Sequence, residues 1–294
     1  MGTSGSSKGS PGKVPMVPSW VPDVPAAPPA DPASPPDSSP PADHAPANQP
    51  APDTGAVAAP AAPAPPIPIA PAGRFTAARR SAGNFAQTGS SSDLKRSIGH
   101  YVRTGYGGAS TAARRLGGTA RTAGSLYGAL SPTPTPTAPD AEARLDRALL
   151  AGRSANEIMD AVVEAVRPVD GTQDAEASRT AIKACLSEVL VRFPGADLLE
   201  LSEEQRAFAI ERYVALDVFE RFVLDLGKTI QDRAPNASAA LARLKDVKDY
   251  IRETVSSAFR RLRDAGRMLS AGGVSQIVQR TLLDALHVFE QSSE

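Results

Sequence analysis

Of the 28 prolines in this 294-residue chain, 21 fall within the first 73 residues. Proline fixes φ and carries no backbone donor, so such a run enters neither helix interiors nor central strands. The Ala, Ser, Gly and Asp between the prolines offer little apolar surface to offset chain entropy. Residues 1–73 therefore read as a disordered Pro/Ala-rich tail, and any packed core has to come from residues 74–294. A semi-flexible coil of about 70 residues spans on the order of 50 Å, and more where proline stiffens it. Delivery, wrapping or spacing suits such a segment better than chemistry.

One semi-apolar island, Val14 to Pro22, interrupts the tail and holds Trp20, the only tryptophan. On a Pro-fixed segment a large apolar side chain has little entropy left to lose, which makes it a docking anchor. The alternative is an incidental exposed aromatic.

The formal charge is zero, but it is unevenly divided. Residues 1–73 carry two lysines against five aspartates, or −3; residues 74–130 carry nine basic residues against Asp93, or +8; the rest, 21 basic against 26 acidic, is −5. A basic middle between acidic ends fits an anionic partner, or docking of the middle onto the C-terminal part. Cys185, the single cysteine, excludes an internal disulfide, and no Cys/His spacing suggests zinc. No apolar run approaches membrane-spanning length and no secretory signal core is present, so a cytoplasmic location is expected.

Residues 74–130 form a basic Gly/Arg-rich segment with weak helical signals. Leu94, Ile98, Tyr101 and Val102 keep helical spacing, as do Leu116, Ala120, Ala123, Tyr127 and Leu130. Ala120, Gly124 and Gly128 recur every four positions, allowing close approach to a neighbour, and Gly105, Gly107 and Gly108 separate two pieces. Each Gly costs a helix about 1 kcal/mol against Ala, so these helices need a partner surface, on their own C-terminal part or on another protein.

Residues 131–139 are a Pro-rich linker, and residues 140–294 carry all-α signals. Asp140 caps a short helix through Leu150, and Ser154 with Glu157 has capping-box spacing. A third helix runs from about Asp174 to Phe193 and stops at Pro194-Gly195. Ser202 with Gln205 starts a long one through about Asp232, with Phe208, Ala215, Phe219, Phe222, Leu226 and Ile230 inward. The next shows Leu241, Leu244, Val247, Ile251, Val255, Ala258 and Leu262 on one stripe, and the last runs from Val274 to about Phe289. No alternating β pattern occurs, so the expected fold is an all-α C-terminal bundle preceded by the tail and the basic segment.

Catalytic constellations are missing from this pattern, and the chain is expected to be no enzyme and to need no cofactor or metal. His44, His100 and His287 are scattered, Cys185 sits among Ile182, Leu186 and Val189 as a core thiol, and Glu203, Glu204 and Glu211 belong to a solvated face. Gly107-Gly108 and Gly117-Gly118 lack the strand and Lys-Ser/Thr signature of a phosphate loop. The arginines of the basic segment, interleaved with Phe75, Phe85, Tyr101, Tyr106 and Tyr127, suit phosphates with base stacking, or else docking on a protein. At the N-terminus, removal of Met1 leaves Gly2 with a free α-amine of pKa about 8, a nucleophile able to enter a deep site. Met1 to Ser6 also matches the N-myristoylation pattern formally, and an ordinary start is the plainest reading.

Several stretches together resemble the QatB family, the B component of the four-gene Qat anti-phage defence system of bacteria. They are Met1-Gly2-Thr3-Ser4, Val14 to Trp20, Arg74-Phe75 with Arg79-Arg80-Ser81, Gly99 to Gly108 continuing through Thr111 to Arg115, and Thr122 to Gly128. The resemblance implies a P-loop ATPase, a QueC-like enzyme and a TatD-like nuclease as neighbours. QueC enzymes make 7-cyano-7-deazaguanine from 7-carboxy-7-deazaguanine with ATP and ammonia. A QueC-like enzyme taking its amine from a protein would form an amide with an N-terminal glycine, which corresponds here to Gly2. The resemblance thus implies a non-enzymatic component that binds the QueC-like enzyme of its operon, directly, with the ATPase and the nuclease as further partners. Trp20, Arg79, Arg80, Tyr101, Arg103, Tyr106, Arg114, Arg115 and Tyr127 are the expected partner contacts. A nucleic-acid adaptor acting through residues 74–130 is the alternative, and no membrane partner is expected.

Overall fold

Side-chain caps set most of the helix starts in the C-terminal half. The Ser154 hydroxyl accepts from Glu157 N, and the Glu157 carboxylate accepts from Ser154 N at 2.9 Å, closing the expected capping box. Ser202 and Gln205 repeat the arrangement, with the return bond at 2.8 Å. Thr172 and Asn236 cap two further helices through their side-chain oxygens. A cap contributes about 1 kcal/mol.

The computed structural model describes residues 73–132, 145–269 and 272–292, and every regular element among them is helical. The elements are α1 (Thr76–Thr88), α2 (Ser91–His100), a π-helical turn π1 (Tyr101–Gly105), α3 (Ala109–Arg115) and α4 (Gly117–Ala129). Next come α5 (Arg147–Leu150), α6 (Ala155–Val166), α7 (Gln173–Arg192) and α8 (Glu203–Phe222). A second π-turn, π2 (Val223–Gly227), leads into α9 (Lys228–Arg233), and α10 (Ala237–Asp264) and α11 (Val274–Gln291) complete the order. Gly2, Trp20, the rest of the tail to residue 72, most of the linker and Asp140 lie outside the described residues.

The buried run from Ala209 to Val218, broken only by half-buried Arg212, makes α8 the central helix. It packs against α7, α10 and α4, while α11 lies across α3, α4 and α10, and α1 sits on α2 and α9. One hydrophobic core runs from Phe75 to Phe289. Leu94, Ile98, Tyr101, Val102, Leu116, Ala120, Ala123, Tyr127 and Leu130 are all buried in it. Each large apolar side chain so buried contributes about 1.5–3 kcal/mol. The Gly-rich helices of residues 74–130 thus find their partner surface on their own chain. Gly124 meets the Ser275 hydroxyl at the start of α11, so its missing Cβ serves close packing.

Besides the π-turn that separates α8 from α9, four details differ from the sequence pattern. The short helix α5 is capped by Asp146, whose carboxylate accepts from Ala148 N and Leu149 N at 3.1 and 3.4 Å. Leu241 is 69% exposed, because the inner stripe of α10 passes through Ala240, one position back. Glu211 is buried at 8% exposure and accepts from Ser256 Oγ at 2.6 Å and Arg263 Nη1 at 3.0 Å, unlike exposed Glu203 and Glu204. Gly105 lies inside π1, and the break after it is made by Gly107 and Gly108, with φ of 82° and 96°.

Candidate functional site

At the first described residues the chain enters an aromatic and acidic cluster. Gly73 takes a left-handed φ of 73°, and the Arg74 guanidinium then lies 4.5 Å from the Phe75 ring centroid and 5.6 Å from that of Tyr106. Phe75 stacks on Tyr101 at 5.3 Å, and Tyr101 meets Tyr106 and Phe222 edge-on at 5.0 and 5.2 Å. The Tyr101 hydroxyl donates to Asp225 Oδ2 at 2.9 Å. Tyr101 is the first residue of π1 and Asp225 the middle of π2, so the two π-turns meet. In π1 the Tyr106 N–H reaches five residues back to Tyr101 O at 3.0 Å. Such turns recur at functional sites because they re-aim side chains.

Burial raises the Asp225 carboxyl above the usual range; the Tyr101 hydrogen bond and the nearby Arg74 charge partly oppose this. Burial, with Tyr106 and Asp225 adding to it, holds the Tyr101 hydroxyl firmly protonated. The cluster is a stable donor–acceptor pair under a cation, and not a nucleophile poised to ionise.

Deeper in the core, Asp217 is fully buried and accepts from the hydroxyls of Thr119 and Ser178 and from Arg221 Nε at 3.1 Å. Arg221 Nη1 reaches Asp174 Oδ2 at 2.6 Å. Burial works against the Arg221 charge, but the Asp217 and Asp174 carboxylates outweigh it and hold the guanidinium protonated. This network joins α4, α7 and α8 and pairs the buried Asp217 carboxylate with the Arg221 guanidinium, as a buried charge requires.

The expected contact residues separate into two groups. Tyr101 and Tyr127 are buried, and the Tyr127 hydroxyl donates to Leu269 O at 3.2 Å; Tyr106 is half-buried. Phe75 and Phe85 are buried as well, so the aromatic set offered for base stacking is occupied by the chain's own core. Arg79, Arg80, Arg103 and Arg114 are exposed and Arg115 is half-buried. Arg79 and Arg80 stand together on α1, whereas Arg114 and Arg115 end α3. Asp217, Arg221 and Asp225 escaped sequence reading, and Arg74 entered it only through charge and the family resemblance. The available signal was charge on an apolar face: Asp217 and Arg221 are four apart within the inward run of α8.

Among the described residues no group of His, Cys, Asp and Glu could hold a metal ion, and no helix is long and apolar enough to cross a membrane. The Cys185 thiol is fully buried, donates to Ile182 O at 3.1 Å and is pushed well up by burial.

Fold and surface together define an all-α protein whose segment 74–130 turns guanidinium groups outward. The family model for the Qat anti-phage system associated protein QatB matches residues 107–289, which is α3 through α11 and more than half of the chain. The chain belongs to the QatB family, and its role lies in the Qat anti-phage system. No curated protein and no solved structure matches it.

Proposed function

We propose that this chain is a non-enzymatic component that binds the QueC-like enzyme of its operon and presents Gly2 to it for modification. One observation supports this most. The basic segment buries its apolar faces internally and leaves arginines outward. Arg79, Arg80 and Arg114 have no carboxylate within ion-pair distance among the described residues. Unpaired surface guanidinium groups favour an acidic partner face and speed its encounter. The Pro/Ala-rich stretch is the spacer in this reading, and Trp20 is a second anchor.

At the enzyme, 7-carboxy-7-deazaguanine and ATP give an acyl-adenylate and pyrophosphate. The Gly2 amine attacks the acyl carbon, AMP leaves, and the amine loses a proton to give an amide. Co-expression with the partner and intact-mass measurement test this. The expected mass is that of the Met-free chain plus the acyl group, with the modified peptide starting at Gly2. A mass unchanged beyond Met loss, with phage protection retained by Gly2→Pro, overturns the reading. The ATPase and nuclease components are further partners in the same assembly. The alternative, a nucleic-acid adaptor, keeps its arginines but loses four of its five stacking aromatics to the core, with Tyr106 half-buried. A salt-sensitive mobility shift abolished by alanine at Arg79, Arg80, Arg114 and Arg115 would favour it.

A further inference from the structure

Between α1 and α9 lies a groove of about 510 Å3. One wall is a single stripe of α1, running from Thr76 through Arg80 and Asn84 to Gln87 at helical spacing. At a rise of about 1.5 Å per residue that stripe is about 17 Å long. The other wall carries Thr229 and Arg233. Gly83 forms the floor: a Cβ there would lie 3.6 Å from Arg233 Cγ and 4.0 Å from Thr229 Cγ2, so glycine preserves the depth.

Arg80 and Arg233, from opposite walls, have no ion-pair partner among the described residues. Asp232, the carboxylate among the lining residues, lies 3.6 Å from Lys228 Nζ, which offsets its charge. The groove therefore gathers cations that the fold itself does not consume, together with neutral hydroxyl and amide groups.

We propose that this groove binds a phosphate-bearing small molecule of nucleotide size. Guanidinium forks match phosphate oxygens in pairs, and two of them facing each other across a cleft suit a di- or triphosphate. Asn84 and Gln87 supply both donors and acceptors, as the edge of a base or a ribose requires. The volume falls within the range of about 300–1,000 Å3 typical of small-ligand sites. An extended single strand would need a stacking platform, and the aromatic rings of this segment, Phe75 at the N-cap of α1 and Phe85 within it, are buried. Arg80 also belongs to the proposed partner face, whereas Arg233 does not, so the Arg233 variant separates nucleotide binding from partner docking.

Calorimetric titration of the full chain at low salt with ATP, GTP, inorganic phosphate and a short single-stranded oligonucleotide tests the proposal. Saturable one-site binding of a nucleoside triphosphate is expected, weakened at least about tenfold by Arg80→Ala and by Arg233→Ala. Gly83→Leu, which fills the floor and removes no charge, abolishes it, whereas Lys183→Ala on α7 leaves it unchanged. Melting curves check the fold of every variant, and the two arginine variants are expected to melt with wild type because Arg80 and Arg233 are exposed. The proposal is overturned by lack of saturable nucleotide binding, by equal affinity for inorganic phosphate, by uptake of the oligonucleotide alone, or by affinity unaltered in the two arginine variants.

Discussion

Tyr101 and Asp225, 124 residues apart, are joined by a hydrogen bond of 2.9 Å that links π1 to π2. Tyr101 is buried and Asp225 half-buried, so the bond works in a low-dielectric setting and supports a carboxylate with few other donors. Tyr101→Phe keeps the ring packing against Phe75 and Phe222 and removes only the donor. The expected loss is about 1–2 kcal/mol of unfolding free energy, read from urea denaturation.

The raised Asp225 carboxyl gives a pH signature of definite sign. Its folded pKa lies above the unfolded value of about 3.9, so the folded state binds the proton more tightly. That stability is complete below the unfolded pKa and is lost as pH rises through the folded pKa. Asp225→Asn has no such proton to lose. Denaturation curves collected from about pH 4 to 7 should show wild type losing stability relative to the variant as pH rises; parallel profiles would refute it.

Asp217 has three donors depending on it, two hydroxyls and the buried Arg221 cation. Asp217→Ala leaves buried Arg221 with Asp174 as its one remaining carboxylate and takes the acceptor from the Thr119 and Ser178 hydroxyls, and should cost about 3–5 kcal/mol. Asp217→Asn keeps an acceptor and should cost visibly less. Chemical denaturation of both variants separates the charge from the hydrogen bonds.

Two glycines make a contrasting pair. At Gly105 a Cβ would overlap the Phe75 ring, which is itself held between Arg74 and Tyr101. Gly105→Ala should therefore destabilise by about 1–3 kcal/mol through overpacking. At Gly124 the obstacle is the Ser275 hydroxyl, which can rotate away. Because Ala is the better helix former by about 1 kcal/mol, Gly124→Ala should be close to neutral. Thermal melts decide both.

Cys185 should resist iodoacetamide in the native protein and react fully in denaturant, as intact mass will report. Full burial shields the sulfur and disfavours the thiolate that alkylation needs. Native labelling at the denatured rate would contradict the packing around Ile182 and Val189.

Local rules were legible along the chain. Ser154 with Glu157 and Ser202 with Gln205 closed the capping boxes their spacing announced, and the stripes Leu94–Val102 and Leu116–Leu130 turned inward as their periodicity required. These features depend on residues three or four apart, and a single helix decides them. The α8–α9 run read as one uninterrupted helix, because a π-turn changes no periodicity strongly enough to be seen over five residues. Tyr101 and Tyr127 carried the composition of a contact surface and proved to be core, since an amphipathic helix shows that it has an inner face without showing what covers it.

By itself the sequence determined the helical class, the two capping boxes, the excess of arginine in residues 74–130 and the family resemblance. Composition, spacing and short-range sterics suffice for these. Only the tertiary structure decided that the basic segment is covered by α8, α9 and α11. It also brought Tyr101 to Asp225, buried Asp217 with Arg221, and set Arg80 opposite Arg233 across a groove. Apart from the helical pair Asp217 and Arg221, those outcomes join residues more than a hundred positions apart. No local propensity encodes such pairings; the shared burial of many apolar faces selects them at once.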